Sequence, residues 1–504
     1  MLGATLREAA RRFRDQPAYV APDGWPLSYA FLDRASDEVA TGLTRRGVGL
    51  GDVVALVLPP GPEYLVAYLA AAKLGAVTTG VNDRLTDVER ATVLELAGPR
   101  VVIGSEGATS TPHETVEVRR ADTPDDVLRD LRIDGAPVPL EPDPERPVAI
   151  VFTSGTTGTP KGALYCNRQL SFITSVDVGT TWGAGGRGFT GTSFAHLGFM
   201  TKLPGNLQRG GTSFIMERWR AHDALALLER EGMQTVAGVP TQLALMLRDP
   251  DFDAFDLSSV GFIVVGGGPV TPGLAQEARA RFDAKLATRY SCTEAGIGLG
   301  TGFDDPEEDA VISVGRPHAA VELGVLDDAD EPVTPGDIGA VCLRSPAVMS
   351  GYWRAPDATR AAFTADGFVR TGDVGWVDDQ GRLRLVGRSK EMYVRGGYNV
   401  YPVEVEAVLS THPDVAHVAV VPAPDPVMGE VGVAFVVARD PSAAPTVDGL
   451  RDFGRDRLAA YKLPEGLRTV EALPLTAGEK VDRRVLREML DAETPGDRPD
   501  EHVR

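Results

Sequence analysis

Only three cysteines occur in this chain of 504 residues, and Cys166, Cys292 and Cys342 stand far apart with no C-x-x-C spacing. A zinc site or a disulfide framework is therefore excluded as an organising device, and a reducing cytoplasm is the expected compartment. Basic charge is also scarce: 51 Lys and Arg face 71 Asp and Glu, for a formal charge of −20. The acids are dispersed, and no basic segment is concentrated enough to hold a phosphate backbone, so nucleic acid is not an expected partner. Any anionic ligand must be held by local basic and backbone groups. Long apolar runs are missing as well, since no stretch approaches the ~18 uninterrupted apolar residues of a membrane span. The opening segment, Met1 to Pro17, reads as a charged amphipathic helix through Leu6, Ala9, Ala10 and Phe13, without the apolar centre of a signal peptide. Internal repeats and low-complexity tracts are absent.

What is present is enough apolar sequence, 43% of the chain, to build sizeable cores over a length that implies at least two domains. Residues 53–58 and 76–81 are continuous apolar runs separated by a helical pattern from Glu63 to Leu74, as in parallel strands buried on both faces. Further strands are expected at 100–103, 148–152, 212–216, 235–239 and 261–265, with a helix from Thr271 to Phe282. After about residue 320 shorter alternating strands suggest an antiparallel or barrel-like part. The last part reads helix Val403–Leu409, strands Val415–Val421 and Val431–Ala438, helix Val447–Leu458, strand Arg468–Val470 and helix Arg483–Leu490. The predicted class is α/β: a large N-terminal domain with parallel sheets flanked by helices plus a small barrel-like part, then a small, mobile α+β C-terminal domain.

The strongest local signal is Thr153-Ser154-Gly155-Thr156-Thr157-Gly158-Thr159-Pro160-Lys161-Gly162, directly after the apolar segment Val148 to Phe152. Its hydroxyls, glycines and lysine suit a loop wrapped around a polyphosphate. It is not a P-loop, because Thr159-Pro160 separate Gly158 from Lys161. In order along the chain follow Tyr290-Ser291-Cys292-Thr293-Glu294, then Arg370-Thr371-Gly372-Asp373, then Gly387-Arg388-Ser389-Lys390-Glu391 running on through Gly396-Gly397-Tyr398, and finally Pro474 to Arg483 with Lys480. No G-x-G-x-x-G or G-x-S-x-G pattern competes with them.

These ordered motifs resemble those of the adenylate-forming superfamily, which includes acyl-CoA synthetases, luciferases and the adenylation domains of peptide synthetases, and the likeness covers roughly residues 10 to 490. The resemblance implies an AMP-forming acid–thiol ligase of the fatty-acid–CoA ligase branch, using ATP, magnesium and coenzyme A. By the same likeness Thr153, Ser154, Gly155, Thr156, Thr157, Gly158 and Lys161 hold phosphates, with Thr153 and Lys161 also taking part in the chemistry. Tyr290 stacks on adenine beside Ser291 and Gly267, Thr293 bonds the α-phosphate, Glu294 holds magnesium together with Thr153, and Asp373 and Arg388 contact ribose. Lys480 serves adenylation, Lys390 is the hinge, and Gly396-Gly397 line the coenzyme A channel. His196 stands by the substrate carboxylate, and Phe194, Leu197, Met200 and Gly266-Gly267-Gly268 line an acyl pocket.

The resemblance also sets the expected boundaries, 1–388 for the large domain and 389–491 for the small one, while the polar, Pro-containing composition predicts a disordered tail over 492–504. The expected substrate is a medium-sized, largely apolar acid of fatty, alicyclic or aryl type, with Lys202 placed to meet a second polar group. The texture near His196 and Tyr398-Asn399-Val400-Tyr401-Pro402 is similar to actinobacterial-style acyl-CoA synthetases, including those acting on steroid-ring fragments. Alternatives are an adenylating enzyme with another acceptor (a carrier-protein thiol, an amine, or nitrite activation) and a degenerate nucleotide sensor; a homodimer is compatible with all of them. Glu404 and Glu406 read as a solvated face. One departure stands out, since the family usually has Gly immediately before the adenylation lysine and this chain has Glu479.

Overall fold

The computed structural model of the protein describes residues 2–107, 112–153, 159–476 and 479–492. The parallel core is a six-stranded sheet in the order Thr115–Val118, Val101–Ser105, Val53–Val57, Val77–Gly80, Pro147–Phe152 and Gly162–Cys166. Its first five strands run parallel and the last is antiparallel. Val53–Val57 is buried at every residue, which is why its sequence is apolar without alternation. The helix Pro62–Leu74 opens on a proline at its first turn and closes on Gly75 at φ 70, the N-terminal Pro and C-terminal Gly that such a segment favours. It is buried nearly all round, and its one cation, Lys73, is neutralised by Asp33 at 2.7 Å and Asp37 at 2.8 Å, as a buried ammonium requires.

A second sheet takes Thr235–Gly238, Phe262–Gly266 and Lys285–Tyr290 in parallel and adds Leu299–Gly300 and Arg316–Pro317 antiparallel. The helix Pro272–Phe282 connects its middle strands, with the Thr271 hydroxyl accepting from the Leu274 N–H as N-cap. Tyr290 thus stands at the carboxyl end of a parallel strand, where open α/β sheets receive ligands. The antiparallel part expected after about residue 320 is a four-stranded sheet of Glu322–Leu326, Gly339–Arg344, Val369–Val377 and Leu383–Arg388. A small mixed sheet joins Pro26–Ser28, Pro17–Val20, Thr212–Ile215 and Arg187–Thr190.

The C-terminal part is α+β. Its sheet holds the hairpin Tyr393–Arg395 and Tyr398–Val400, the long antiparallel pair Val415–Asp425 and Gly429–Ala438, and Gly466–Thr469 parallel to the latter. Helices Pro402–Leu409, Val447–Gly454 and Arg483–Asp491 cover it. The middle helix was expected to reach Leu458. It stops at Gly454, a poor helix residue, where an added Cβ would lie 2.6 Å from Leu463. The tail over 493–504 lies outside the described residues. Among the described residues no helix is long and apolar enough to cross a membrane.

Candidate functional site

The strands Val369–Val377 and Leu383–Arg388 pair Asp373 directly with Arg388, and the Arg388 Nε lies 3.0 Å from the Asp373 Oδ1. From the second sheet, the Tyr290 hydroxyl donates to the Asp373 Oδ2 at 2.7 Å. Burial pushes the Asp373 carboxyl above its ordinary pKa, while Arg388 and the Tyr290 hydroxyl work the other way. Tyr290 from one sheet and Asp373 and Arg388 from another thus form one cluster that offers an aromatic ring, a guanidinium and an acceptor, chemistry that suits an adenosine.

Next to it, the Glu294 Oε1 accepts from the Tyr352 hydroxyl at 2.8 Å. Lys161 carries its ammonium 5.2 Å from the centre of the Tyr352 ring, within cation–π range. Tyr165 donates to the Thr293 carbonyl at 2.6 Å and fixes the turn that presents Thr293 and Glu294. Thr153 and Lys161 are joined by the Thr153 N–H to the Lys161 carbonyl at 2.9 Å and the Lys161 N–H to the Thr153 hydroxyl at 3.4 Å. Ser154, Gly155, Thr156, Thr157 and Gly158 lie outside the described residues. The Glu294 carboxylate, with one oxygen engaged by the Tyr352 hydroxyl, is the oxygen chemistry that magnesium takes. The chemistry of Glu294 fits the ion.

The C-terminal part brings Lys480 to the same place. Its side chain keeps contact with solvent yet stands among Arg388, Asp373, Cys292 and Glu391. Desolvation and the Arg388 guanidinium hold its ammonium below the ordinary lysine pKa, with Asp373 and Glu391 opposing. The loop that carries it is anchored on both sides. Thr476 N–H donates to the Lys480 carbonyl at 2.7 Å and Asp482 N–H to the Pro474 carbonyl at 2.8 Å, and Arg483 makes a two-pronged pair with Glu406 at 2.6 and 2.9 Å. The solvated-face reading of Glu406 is thus corrected: it is 4% exposed, and its partner lies on a distant helix. Glu404 pairs with Lys462 at 2.6 Å.

His196 caps the short helix Leu197–Met200 and lies with its Nε2 3.1 Å from the Asn82 amide nitrogen. The Asn82 Oδ1 accepts the Arg84 N–H at 3.0 Å, which orients the amide NH2 toward His196 and assigns the imidazole proton to Nδ1. Burial, and then Lys480, lower the His196 pKa to about 4. The ring is neutral at ordinary pH and offers one N–H.

Several pocket assignments change. Phe194 stacks on Phe199 at 3.7 Å with Tyr64 edge-on to both; Phe194 is 1% and Met200 0% exposed, so they form the core behind the wall rather than its surface. Leu197 remains half-buried. Of the three glycines, Gly266 is needed because a Cβ would lie 2.4 Å from the Arg289 carbonyl oxygen, and Gly267 because its φ is +81; only Gly268 combines an ordinary φ with no clash, its Cβ meeting Pro240 in ordinary contact at 3.5 Å. Lys202 is paired with Asp177 at 3.2 Å, which disfavours its assignment to a substrate group. Gly396 and Gly397, at φ 54 and 86, make the two-residue turn between the strands of a hairpin. Positive φ at both positions is the type I′ geometry that selects glycine. Lys390 is exposed between the strands Leu383–Arg388 and Tyr393–Arg395, which belong to different sheets.

Glu479 occupies the position before Lys480 with φ +59. That left-handed backbone explains the usual glycine there, since another residue pays on the order of 1 kcal/mol for it. Its carboxylate reaches Arg84 at 3.3 Å and Gln242 at 2.7 Å. Asn82, Arg84, Gln242, Tyr165 and Tyr352 were not singled out from sequence. For Arg84 and Gln242 the unusual Glu479 was a signal, because a carboxylate in that position needs partners; the others carry none.

The AMP-binding enzyme profile matches residues 6–353 and the AMP-binding enzyme C-terminal domain profile residues 404–480. A Mycobacterium tuberculosis propanoyl:CoA ligase, whose acyl group carries a 7a-methyl-1,5-dioxo-octahydro-1H-inden-4-yl ring, is 35% identical over 96% of this chain and 98% of its own. The fatty acid–acyl-carrier-protein ligase ScoC of Streptomyces coeruleorubidus is 33% identical over 92% of each. The solved amide bond synthetase McbA of Marinactinospora thermotolerans superposes with a TM-score of 0.85 at 29% identity, covering 97% of this chain and 100% of that one. The chain belongs to the AMP-binding enzyme family of the adenylate-forming superfamily.

Proposed function

We propose that the protein joins a medium-sized, largely apolar carboxylic acid of fatty, alicyclic or aryl type to coenzyme A through an acyl-adenylate made from ATP. It is an AMP-forming acid–thiol ligase. The observation that carries the reading is the meeting of Lys480, from the C-terminal part, with the Asp373–Arg388–Tyr290 cluster of the large part.

In the first half-reaction a carboxylate oxygen bonds to the α-phosphorus as the bond to pyrophosphate breaks. Two anions must approach, so the protein's work is positioning and charge neutralisation. Asp373 accepts ribose hydroxyls, Tyr290 meets adenine, and Lys161 and Lys480 face the phosphates. Neutral His196 offers its Nδ1 proton to the acid without adding charge. Glu294 and Thr153 would hold magnesium, which neutralises phosphate charge when bound. In the second half-reaction the thiolate of coenzyme A bonds to the acyl carbon and AMP leaves with both electrons of the broken bond. Lys390 acts as the hinge and Gly396-Gly397 border the thiol's path.

Pyrophosphate release across a panel of acids, with and without coenzyme A, tests the reading. Thioester should accumulate in step with AMP for apolar acids. Pyrophosphate release with no thioester, and product only with a carrier protein or an amine, would reassign the acceptor.

The pocket geometry gives a sharper expectation. Gly268→Leu should raise KM for the largest accepted acid at least tenfold more than for propionate, measured as pyrophosphate release. Gly267→Ala should instead lower the melting temperature, because φ +81 strains any side chain there. A size profile unchanged in Gly268→Leu would place the acyl group elsewhere.

A further inference from the structure

Glu479 touches both sides of the acid site at once. On one side its Oε1 is 3.3 Å from the Arg84 guanidinium, and the Arg84 backbone N–H holds the Asn82 amide that contacts His196. On the other side its Oε2 accepts from the Gln242 amide at 2.7 Å. Gln242 is 1% exposed and its orientation is fixed, because its Oε1 accepts the Val239 N–H at 3.2 Å and its second N–H goes to the Gly191 carbonyl at 2.6 Å. Both amide protons and the amide oxygen are thereby used, and Glu479 supplies the one acceptor that comes from the C-terminal part. Val239 and Pro240, which begin this turn, are also the residues that face Gly267 and Gly268.

From this bridging we infer that Glu479 is a positioning residue for adenylation, a pin that fastens the Lys480 loop across the acid site and must release before coenzyme A reacts. The inference rests on the proposed two-step reaction. A hydrogen bond to a charged group is worth more than a neutral one, and losing it where the partner is buried strands a donor. Gln242 would be left with an unmet N–H, whereas half-exposed Arg84 can turn to water. Most of the effect therefore belongs to the Gln242 bond.

The test measures adenylate formation and conversion of supplied acyl-adenylate separately, in the full-length protein. Glu479→Ala should slow adenylate formation about 10- to 100-fold and leave thioester formation from supplied adenylate unchanged or faster. Glu479→Gly removes the same carboxylate while relieving the left-handed backbone, and should lose as much. Glu479→Gln keeps an acceptor for Gln242 and should recover most of the rate. Arg84→Ala should cost less than Glu479→Ala. A loss of adenylate formation below tenfold in Glu479→Ala, an equal loss in both half-reactions, or a Glu479→Gly enzyme as fast as wild type overturns the inference. Failure of the two-step reading itself is distinct, because the wild-type protein would then make neither adenylate nor thioester.

Discussion

Lys480→Ala is expected to reduce acyl-adenylate formation by ~10² to 10³, the usual cost of removing one positioned group that meets transition-state charge. A unit charge pair at about 4 Å and an effective dielectric near 20 is worth roughly 4 kcal/mol, which is the size needed. Conversion of supplied adenylate to thioester should change little, since the carboxylate and phosphate charges that Lys480 offsets are already joined in that intermediate. The same residue fixes a pH dependence. Lysine is charged below its pKa, and Lys480 is held below the ordinary range by burial and Arg388, against Asp373 and Glu391. Adenylation kcat/KM, which reports the free enzyme, should therefore fall as pH rises, along a limb below that of an ordinary lysine. Lys480→Arg should move this limb upward because a guanidinium does not titrate there. His196, with its pKa near 4, should add no inflection around neutrality. Equal loss of both half-reactions in Lys480→Ala would remove the assignment.

Lys390→Pro should separate the half-reactions in the opposite direction. The Lys480 loop stands near the Asp373–Arg388 cluster, while the Gly396-Gly397 turn is exposed, so on the proposed two-step reaction the C-terminal part would move between the half-reactions. The connection between the two sheets is short, and the residue that absorbs such a rotation changes its φ and ψ strongly. Proline fixes φ near −65° and restricts Ser389 before it. Ser389 itself is tied to the Gly372 carbonyl by its N–H at 3.1 Å and its hydroxyl at 3.2 Å. The variant should form one equivalent of adenylate in a burst at near-normal rate and make thioester slower by orders of magnitude. Quenched-flow sampling of both species decides it; thioester at the wild-type rate removes the hinge from Lys390.

The parallel core was legible because burial on both faces leaves continuous apolar segments such as Val53–Val57 and a helix closed by Pro62 and Gly75. Strands like Pro26–Ser28 and Leu299–Gly300 were not, since they are too short to carry a period and are defined only by pairing with the preceding strands Pro17–Val20 and Lys285–Tyr290. Motif order drew Tyr290, Asp373 and Arg388 together as candidates, but their geometry was not legible: the bond from Tyr290 to Asp373 joins two different sheets. Glu406 shows the limit most plainly. Its helix position carries no mark of burial, and only the fold brings Arg483 within 2.6 Å. The triglycine segment shows the converse, since two of its glycines answer backbone demands, close approach at Gly266 and positive φ at Gly267, that look identical in sequence to room left for a ligand.

The central claim, that the acid is activated by attack on the α-phosphate and released to a thiol, is tested most directly by isotope transfer. An accepted acid labelled with ¹⁸O in both carboxylate oxygens is turned over with ATP and coenzyme A, and the products are weighed by mass spectrometry. The account predicts one ¹⁸O in each AMP and the other in the thioester carbonyl. Unlabelled AMP, or label appearing in ADP or inorganic phosphate, would contradict it.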